Sequence, residues 1–158
     1  MKIVVFSDSH GDFGALSRVL DAKPGVEMFL HCGDGADEAS DLQNLHPEKI
    51  VRFVRGNCDW TAGVKLEELM TVAGKRILVT HGHVHGVKQG LDKLVSHASE
   101  LGADIACFGH THLPLHTKVG DLHLVNPGSV GNPSRGSKPT YAIVKISGEG
   151  IAVEIVEL

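Results

Sequence analysis

The feature that most constrains this chain is an alternation of short apolar runs, polar loops and helical patterns. Ile3-Val4-Val5-Phe6 is a continuous apolar run, the pattern of a strand buried on both faces. Ser7-Asp8-Ser9-His10-Gly11 follows as a polar loop. Phe13, Leu16, Val19 and Leu20 then recur at helical spacing, with Lys23-Pro24-Gly25 as the stop. The unit repeats: Met28-Phe29-Leu30 leads into Cys32-Gly33-Asp34-Gly35-Ala36-Asp37, and Ala39, Leu42 and Leu45 mark a helix closed by His46-Pro47. Ile50 to Val54 forms a third strand, which runs into Arg55-Gly56-Asn57-Cys58-Asp59. Alternating strands and helices imply right-handed crossovers and a largely parallel sheet, with chemistry at the carboxyl ends of its strands.

The second half begins with a hairpin pattern, Leu69 to Val72 and Arg76 to Thr80 around Ala73-Gly74-Lys75, delivering His81-Gly82-His83. Leu91, Leu94, Val95, Ala98 and Leu101 mark a helix that stops at Gly102. Ile105 to Phe108 then runs into Gly109-His110-Thr111-His112. In an extended segment alternate side chains share a face, so His110 and His112 are expected to point the same way. Leu115 to Val119 with Leu122 to Val125, and Tyr141 to Ile146 with Ile151 to Val156, alternate as hairpins. Both are expected in a second sheet packed on the first. Between them, Asn126 to Gly136 is too rich in Gly and Pro for regular structure and reads as a rigid functional loop.

Composition narrows the function classes. At 158 residues, 42% hydrophobic, the chain is the size of a single domain with its own core. A formal charge of -4 offers no general attraction for nucleic acid or anionic lipid, which disfavours nucleic acid as the main partner. Three cysteines without CxxC spacing point to neither a disulfide framework nor a thiolate zinc cage, and a reducing cytoplasm is the expected compartment. No apolar run has the length of a signal peptide core or a membrane span, so no membrane partner is expected. The 11 histidines stand out.

Five loops, each after an expected strand, carry metal-binding side chains: Asp8 and His10; Asp34; Asn57; His81; His110 and His112. Imidazole suits zinc, iron, nickel and copper, and oxygen donors complete mixed shells. The set is too large for one tetrahedral ion. Two divalent ions about 3.5–4 Å apart, bridged by one carboxylate, would use it fully. Asp34, between Gly33 and Gly35, is the natural bridge. The bland alternative is a scatter of surface acids and histidines, and the placement of every member directly after a strand weighs against it. For the neighbours two roles stay open. Cys58 takes part or is a small hydrophobe; Asp59 orients a ligand or caps its turn; His83 supports the ligands or is an ordinary loop histidine. Arg135 grips a substrate phosphate or is simply solvated. Asn126 is expected to tie its loop near His112. His85, like His31, His46, His97, His116 and His123, receives no chemical role.

Asp8-Ser9-His10, Gly33-Asp34-Gly35-Ala36-Asp37, Gly56-Asn57-Cys58-Asp59, Thr80-His81-Gly82-His83 and Gly109-His110-Thr111-His112 resemble, in identity and order, the motifs of the calcineurin-like metallophosphoesterases. They cover most of the chain. The short length and Asn126-Pro127-Gly128-Ser129 look most like the small bacterial and archaeal phosphodiesterase subfamily of broad substrate range. The resemblance implies an α/β (α+β) four-layer metallophosphoesterase fold, two packed mixed β-sheets flanked by helices, in one domain over residues 1–158. It implies two divalent transition metal ions, manganese, nickel, iron or zinc. One would be held by Asp8, His10, Asp34 and His112, the other by Asp34, Asn57, His81 and His110. The implied activity is hydrolysis of a small phosphoester by a metal-bridging hydroxide, with Asp34, Asn57, Cys58, Asp59 and His83 nearest the chemistry. Many relatives place a histidine after the asparagine, taken to protonate the leaving group; Cys58 stands there in this chain, and a thiol is a weaker donor. The family includes dimers and larger assemblies, so a homo-oligomer is compatible with it. Two other classes compete. One is a scaffold, since the retromer complex has a member on this fold, though one that departs at several ligand positions. The other is a nuclease, whose basic footprint this acidic chain lacks.

Overall fold

The computed structural model describes residues 1–158, and in it the apolar runs become ten strands in two five-stranded sheets, with three helices. In the first sheet β1 (Lys2–Phe6), β2 (Met28–His31) and β3 (Ile50–Phe53) lie parallel, connected by α1 (Phe13–Ala22) and α2 (Ala36–Leu45). The second sheet contains β4 (Glu67–Val72), β5 (Lys75–Thr80), β6 (Ile105–Cys107), β7 (Pro114–Val119) and β8 (Leu122–Pro127), in the order β4-β5-β6-β8-β7. Its three central strands are parallel and its outer two antiparallel, and α3 (Asp92–Glu100) connects β5 to β6.

Alternation within each strand decides the layers. Ile3 and Val5 of β1, Leu30 of β2, Ile77 and Val79 of β5, and Ile105 and Cys107 of β6 are buried together in the seam between the sheets. The residues between them face outward. Val4 and Phe6 pack on Leu16 and Val19 of α1 and Leu42 of α2, while Leu78 and Ala106 pack on Leu94 and Ala98 of α3. The result is helices, sheet, sheet, helix. Each fully buried side chain of this size contributes about 1.5–3 kcal/mol, so the seam and both helical faces are the main source of stability. Cys32 and Cys107 lie buried in the seam, and all three cysteines are free. No helix is long and apolar enough to cross a membrane.

One expectation is corrected. The hairpin of β9 (Thr140–Ser147) and β10 (Gly150–Glu157) joins the first sheet, antiparallel to β1, giving the order β10-β9-β1-β2-β3. The reason lies in β9, whose two faces are both apolar. Ala142, Val144 and Ile146 fill the seam while Tyr141 and Ile143 meet the helices, so this strand sits where a layer covers each face, as it does over β1. Its backbone pairs with the free edge of β1 on one side and with β10 on the other.

Candidate metal centre

The five loops meet across the seam, at the carboxyl ends of β1, β2, β5 and β6 and just beyond β3. Their backbone is unusual. Asp8 (φ 55°), His10 (45°), Asp34 (55°), His110 (70°) and His112 (58°) occupy the left-handed region that residues other than glycine rarely adopt. The remaining non-glycine residue there is Ala73, in the β4–β5 turn. His110-Thr111-His112 is therefore not extended, against the sequence expectation: β6 ends at Cys107, and each imidazole is turned separately. Such conformations cost of order 1–3 kcal/mol each and persist where surrounding contacts hold them. The Asp8 N–H donates to Gly33 O at 3.0 Å, the His10 N–H to Asp34 O at 3.1 Å and the His110 N–H to Asp8 Oδ2 at 3.1 Å. Ser129 Oγ donates to Asp8 O at 2.7 Å. Two glycines make room: a Cβ at Gly109 would strike Ser7 Oγ and Asp8, and one at Gly56 would strike the Asp34 carboxylate.

The donor atoms form two groups. In one, His112 Nε2 lies 3.1 Å from Asp8 Oδ1 and 3.3 Å from His10 Nε2. In the other, His81 Nε2 lies 3.1 Å from Asn57 Oδ1, 3.2 Å from His110 Nδ1 and 3.3 Å from Asp34 Oδ2. Asp34 Oδ2 is also 3.8 Å from His10 Nε2, so one oxygen faces both groups. Outer contacts decide the tautomers. His81 Nδ1 is 2.8 Å from Cys32 O and His112 Nδ1 is 2.6 Å from Asn132 O. A carbonyl only accepts, so both Nδ1 atoms carry the proton. When either ring is neutral, its Nε2 lone pair therefore faces oxygen lone pairs. Asp8 Oδ1 is buried and completes no hydrogen bond. Lone pairs so arranged repel unless a proton or a cation lies between them. Imidazole nitrogen and oxygen without thiolate suit divalent transition ions, and histidines anchored through their second nitrogen are the usual ligands.

Protonation follows the same geometry. Burial alone would raise the Asp8 carboxyl, but contact with His10 and His112, and the charge of His81, hold it well below the usual carboxylate range. At Asp34 burial also pushes up, His81 outweighs it, and the pKa falls to about 2. Burial pulls His81 down, and Asp34 and Asp8 more than reverse it. Contact with Asp8 raises His112 despite burial, whereas burial and His81 take His110 down to about 4. Both carboxylates are ionised at neutral pH, the form a metal requires.

Asp59 fixes the Asp34 loop. Its Oδ2 accepts from the N–H groups of Asp34 (2.8 Å) and Gly56 (2.7 Å), and its Oδ1 from those of Gly35 (2.9 Å) and Ala36 (3.0 Å). This carboxylate caps α2 from another loop, so the helix starts at Ala36, ahead of the apolar spacing that begins at Ala39. Cys58 acts through its backbone, whose N–H donates to Asp34 Oδ1 at 2.8 Å; its thiol is exposed, and partial burial and Asp34 push it up. His83 opens a short 3-10 turn, His83–His85, with its ring 5.3 Å from that of His81 and 6.1 Å from that of His110. Burial and His81 lower its pKa. Asn126 Nδ2 donates to Gly109 O and Thr111 Oγ1, both at 3.0 Å, and so ties down the residues flanking His110. Arg135 is exposed and does not line the cleft described below.

Nothing in the motifs points to His31 or Glu38, yet they join two of the loops. The Gly33 N–H donates to His31 Nδ1 at 3.1 Å, which leaves the proton on Nε2, 3.1 Å from Ser9 Oγ. Ser9 Oγ donates to Glu38 Oε1 at 3.1 Å, and the Gly11 N–H donates to the same oxygen. Burial takes His31 down to about 4. The one available signal is a histidine closing an apolar strand. Trp60, 93% exposed, was likewise outside the motifs. It stands at a cleft of about 510 Å³ bordered by His10, Asp34, Cys58, Asp37 and Glu38. That cleft is acidic, so an anion needs cations to enter it.

Known proteins resemble this chain along most of its length. A family model described as the calcineurin-like phosphoesterase superfamily domain matches residues 1–149. The chain is 36% identical over 157 residues to a probable metallophosphoesterase, YsnB, of Bacillus subtilis, spanning 97% of this chain and 89% of that one. It is 30% identical over 168 residues to the phosphodiesterase YfcE of Escherichia coli, spanning 91% and 87%. Among solved structures, a predicted phosphoesterase from Streptococcus pneumoniae superposes with a TM-score of 0.84 at 32% identity, covering 99% of this chain and 88% of that one.

Proposed function

Since the chain belongs to the calcineurin-like phosphoesterase superfamily and is a metal-dependent phosphoester hydrolase, we propose that it is a dimetal phosphodiesterase of broad substrate range, acting as one domain over residues 1–158. The observation that carries this is the pair His81 and His112, whose Nδ1 protons are committed to backbone carbonyls while their Nε2 lone pairs face Asp34 and Asp8. Asp8, His10, Asp34 and His112 would hold one ion, and Asp34, Asn57, His81 and His110 the other. Manganese, nickel, iron and zinc all match this donor set. When bound, such ions supply a water nucleophile at neutral pH and neutralise charge on the phosphoryl oxygens.

The chain's own residues set the scope. Asp59 and the Cys58 N–H hold Asp34 between the two donor groups, and the carbonyls of Cys32 and Asn132 aim the imidazoles. Asp37 and Glu38 make the cleft hostile to surplus negative charge, which favours a diester with one charge over a monoester with two. Trp60 offers an aromatic face to a planar leaving group. At the position after Asn57 the cleft offers only a weak proton donor: burial and Asp34 push the Cys58 thiol up, a thiol donates weakly, and His83, its pKa lowered by burial and His81, lies outside the cleft lining. Leaving groups that depart without a proton, such as aryl oxides, are therefore the natural substrates, and water in the open cleft serves the others.

The experiment is hydrolysis of an activated aryl phosphodiester by the manganese-loaded protein. Asp34→Asn is expected to lower kcat/KM by about a thousandfold, the order seen when a group stabilising transition-state charge is lost. Wild-type turnover no higher than that of Asp34→Asn would contradict the proposal.

A further inference from the structure

Outside the candidate centre, Glu67, His85 and His97 bring a carboxylate and two imidazoles together from three separate elements. Glu67 opens β4, His85 closes the 3-10 turn and His97 lies in the last turn of α3. His97 Nε2 is 3.0 and 2.9 Å from the two Glu67 oxygens. His85 Nε2 is 3.5 Å from Glu67 Oε2, and it is buried with no hydrogen-bond partner. The two rings lie 4.7 Å apart at 29°, so their Nε2 edges approach the carboxylate side by side. An ordinary ion pair accounts for His97 and Glu67. It leaves His85 unexplained, because a buried nitrogen without a partner costs about 1–3 kcal/mol.

We propose that Glu67, His85 and His97 form a separate divalent transition-metal site, with two imidazoles and one carboxylate as ligands and solvent completing the shell. This donor set is one that zinc takes, and cobalt and nickel also suit imidazole-rich sites. A cation here gives the His85 nitrogen its missing partner and replaces the direct contact of His97 with Glu67. Clefts of about 240 and 350 Å³ open onto His85 and His97, so an ion has a way in. None of the three residues has a positive φ, so the site needs no backbone strain. Its role follows from placement. Glu67 pairs with Thr80, which precedes His81, and His85 lies on the same loop as His81. An ion here staples the His81 loop to β4 and α3. The inference goes beyond the function proposed above and does not rest on it.

The test counts zinc. The whole chain is equilibrated with zinc, freed of loose metal by gel filtration and analysed for metal per chain, beside Glu67→Gln, His85→Gln and His97→Gln. Each variant is expected to carry one zinc fewer than the wild type, and its affinity at this site to fall at least about 100-fold, more than an outer-contact loss costs. Hydrolysis of an aryl phosphodiester should stay within about twofold of wild type. Cobalt at the site should add a visible absorption band that the variants lack. Circular dichroism shows which variants fold, and any one folded variant decides the matter. Equal zinc counts in wild type and a folded variant would overturn the proposal. So would a lost zinc accompanied by a fall in activity to the level of Asp34→Asn, which would place the missing ion in the main centre.

Discussion

The two sheets contribute differently to the candidate centre. Loops of the first sheet bring every oxygen donor, Asp8, Asp34 and Asn57, with one imidazole, His10; loops of the second bring His81, His110 and His112, imidazoles only. The first half is braced within itself, by the four N–H groups that Asp59 gathers and by the chain from Gly33 through His31 and Ser9 to Glu38. The second half has one brace of its own, Asn126 of β8 on Gly109 and Thr111, and is otherwise aimed from outside. His81 is oriented by Cys32 O, His110 is held by Asp8 Oδ2, and both partners belong to the first sheet. The oxygen half thus carries most of its own scaffold, while His81 and His110 complete their geometry when the seam closes.

The most forceful way to break this contrast is to strip the brace from the first half. His31 has a folded pKa of about 4 against an ordinary 6.5. Between those values the unfolded chain binds a proton that the folded chain refuses, so stability falls as pH drops from 7 toward 4. The full effect is on the order of 3 kcal/mol. His31→Asn keeps an acceptor for the Gly33 N–H and removes the titration. Urea unfolding of both proteins should show the wild type losing on the order of 3 kcal/mol more than the variant between pH 7 and pH 4. Asp8 and Asp34, whose pKa values are depressed, lose their contribution mainly below the ordinary carboxylate value, and do so in both proteins. Parallel pH slopes would show that His31 is not the brace.

A smaller effect sharpens the contrast at the cleft edge, where the first half has a thiol. Cys58→His adds an imidazole able to donate a proton to the leaving group. The rate on an alkyl diester relative to an aryl diester should rise at least about tenfold, a modest share of what general acid catalysis contributes. An unchanged ratio would place the proton's source elsewhere.

The contrast also separates what the sequence discloses from what it hides. The strand-loop-helix units are visible because periodicity is local, as in Val4 and Phe6 against Leu16 and Val19. The candidate donors are visible because each follows a strand. What stays hidden is non-local. Periodicity marks Tyr141 to Ile146 as a strand but cannot say that β1 is its neighbour. The spacing of His110 and His112 implies an extended pair, because nothing local announces the left-handed φ that Asp8 and Asn126 help to maintain. The start of α2 at Ala36 depends on Asp59, and the work of His31 on its burial. His85 and His97 look idle until β4 places Glu67 between them.

The central claim is that the two donor groups hold separate ions, with His110 serving one and His112 the other. The direct measurement is manganese per chain for His110→Ala and His112→Ala, both made in a Glu67→Gln background so that only this centre is counted. The parent should carry two ions and each variant one, with the exchange-coupled signal of a manganese pair lost from both. Loss of both ions in either variant, or retention of both, would contradict the division of the centre between the two histidines.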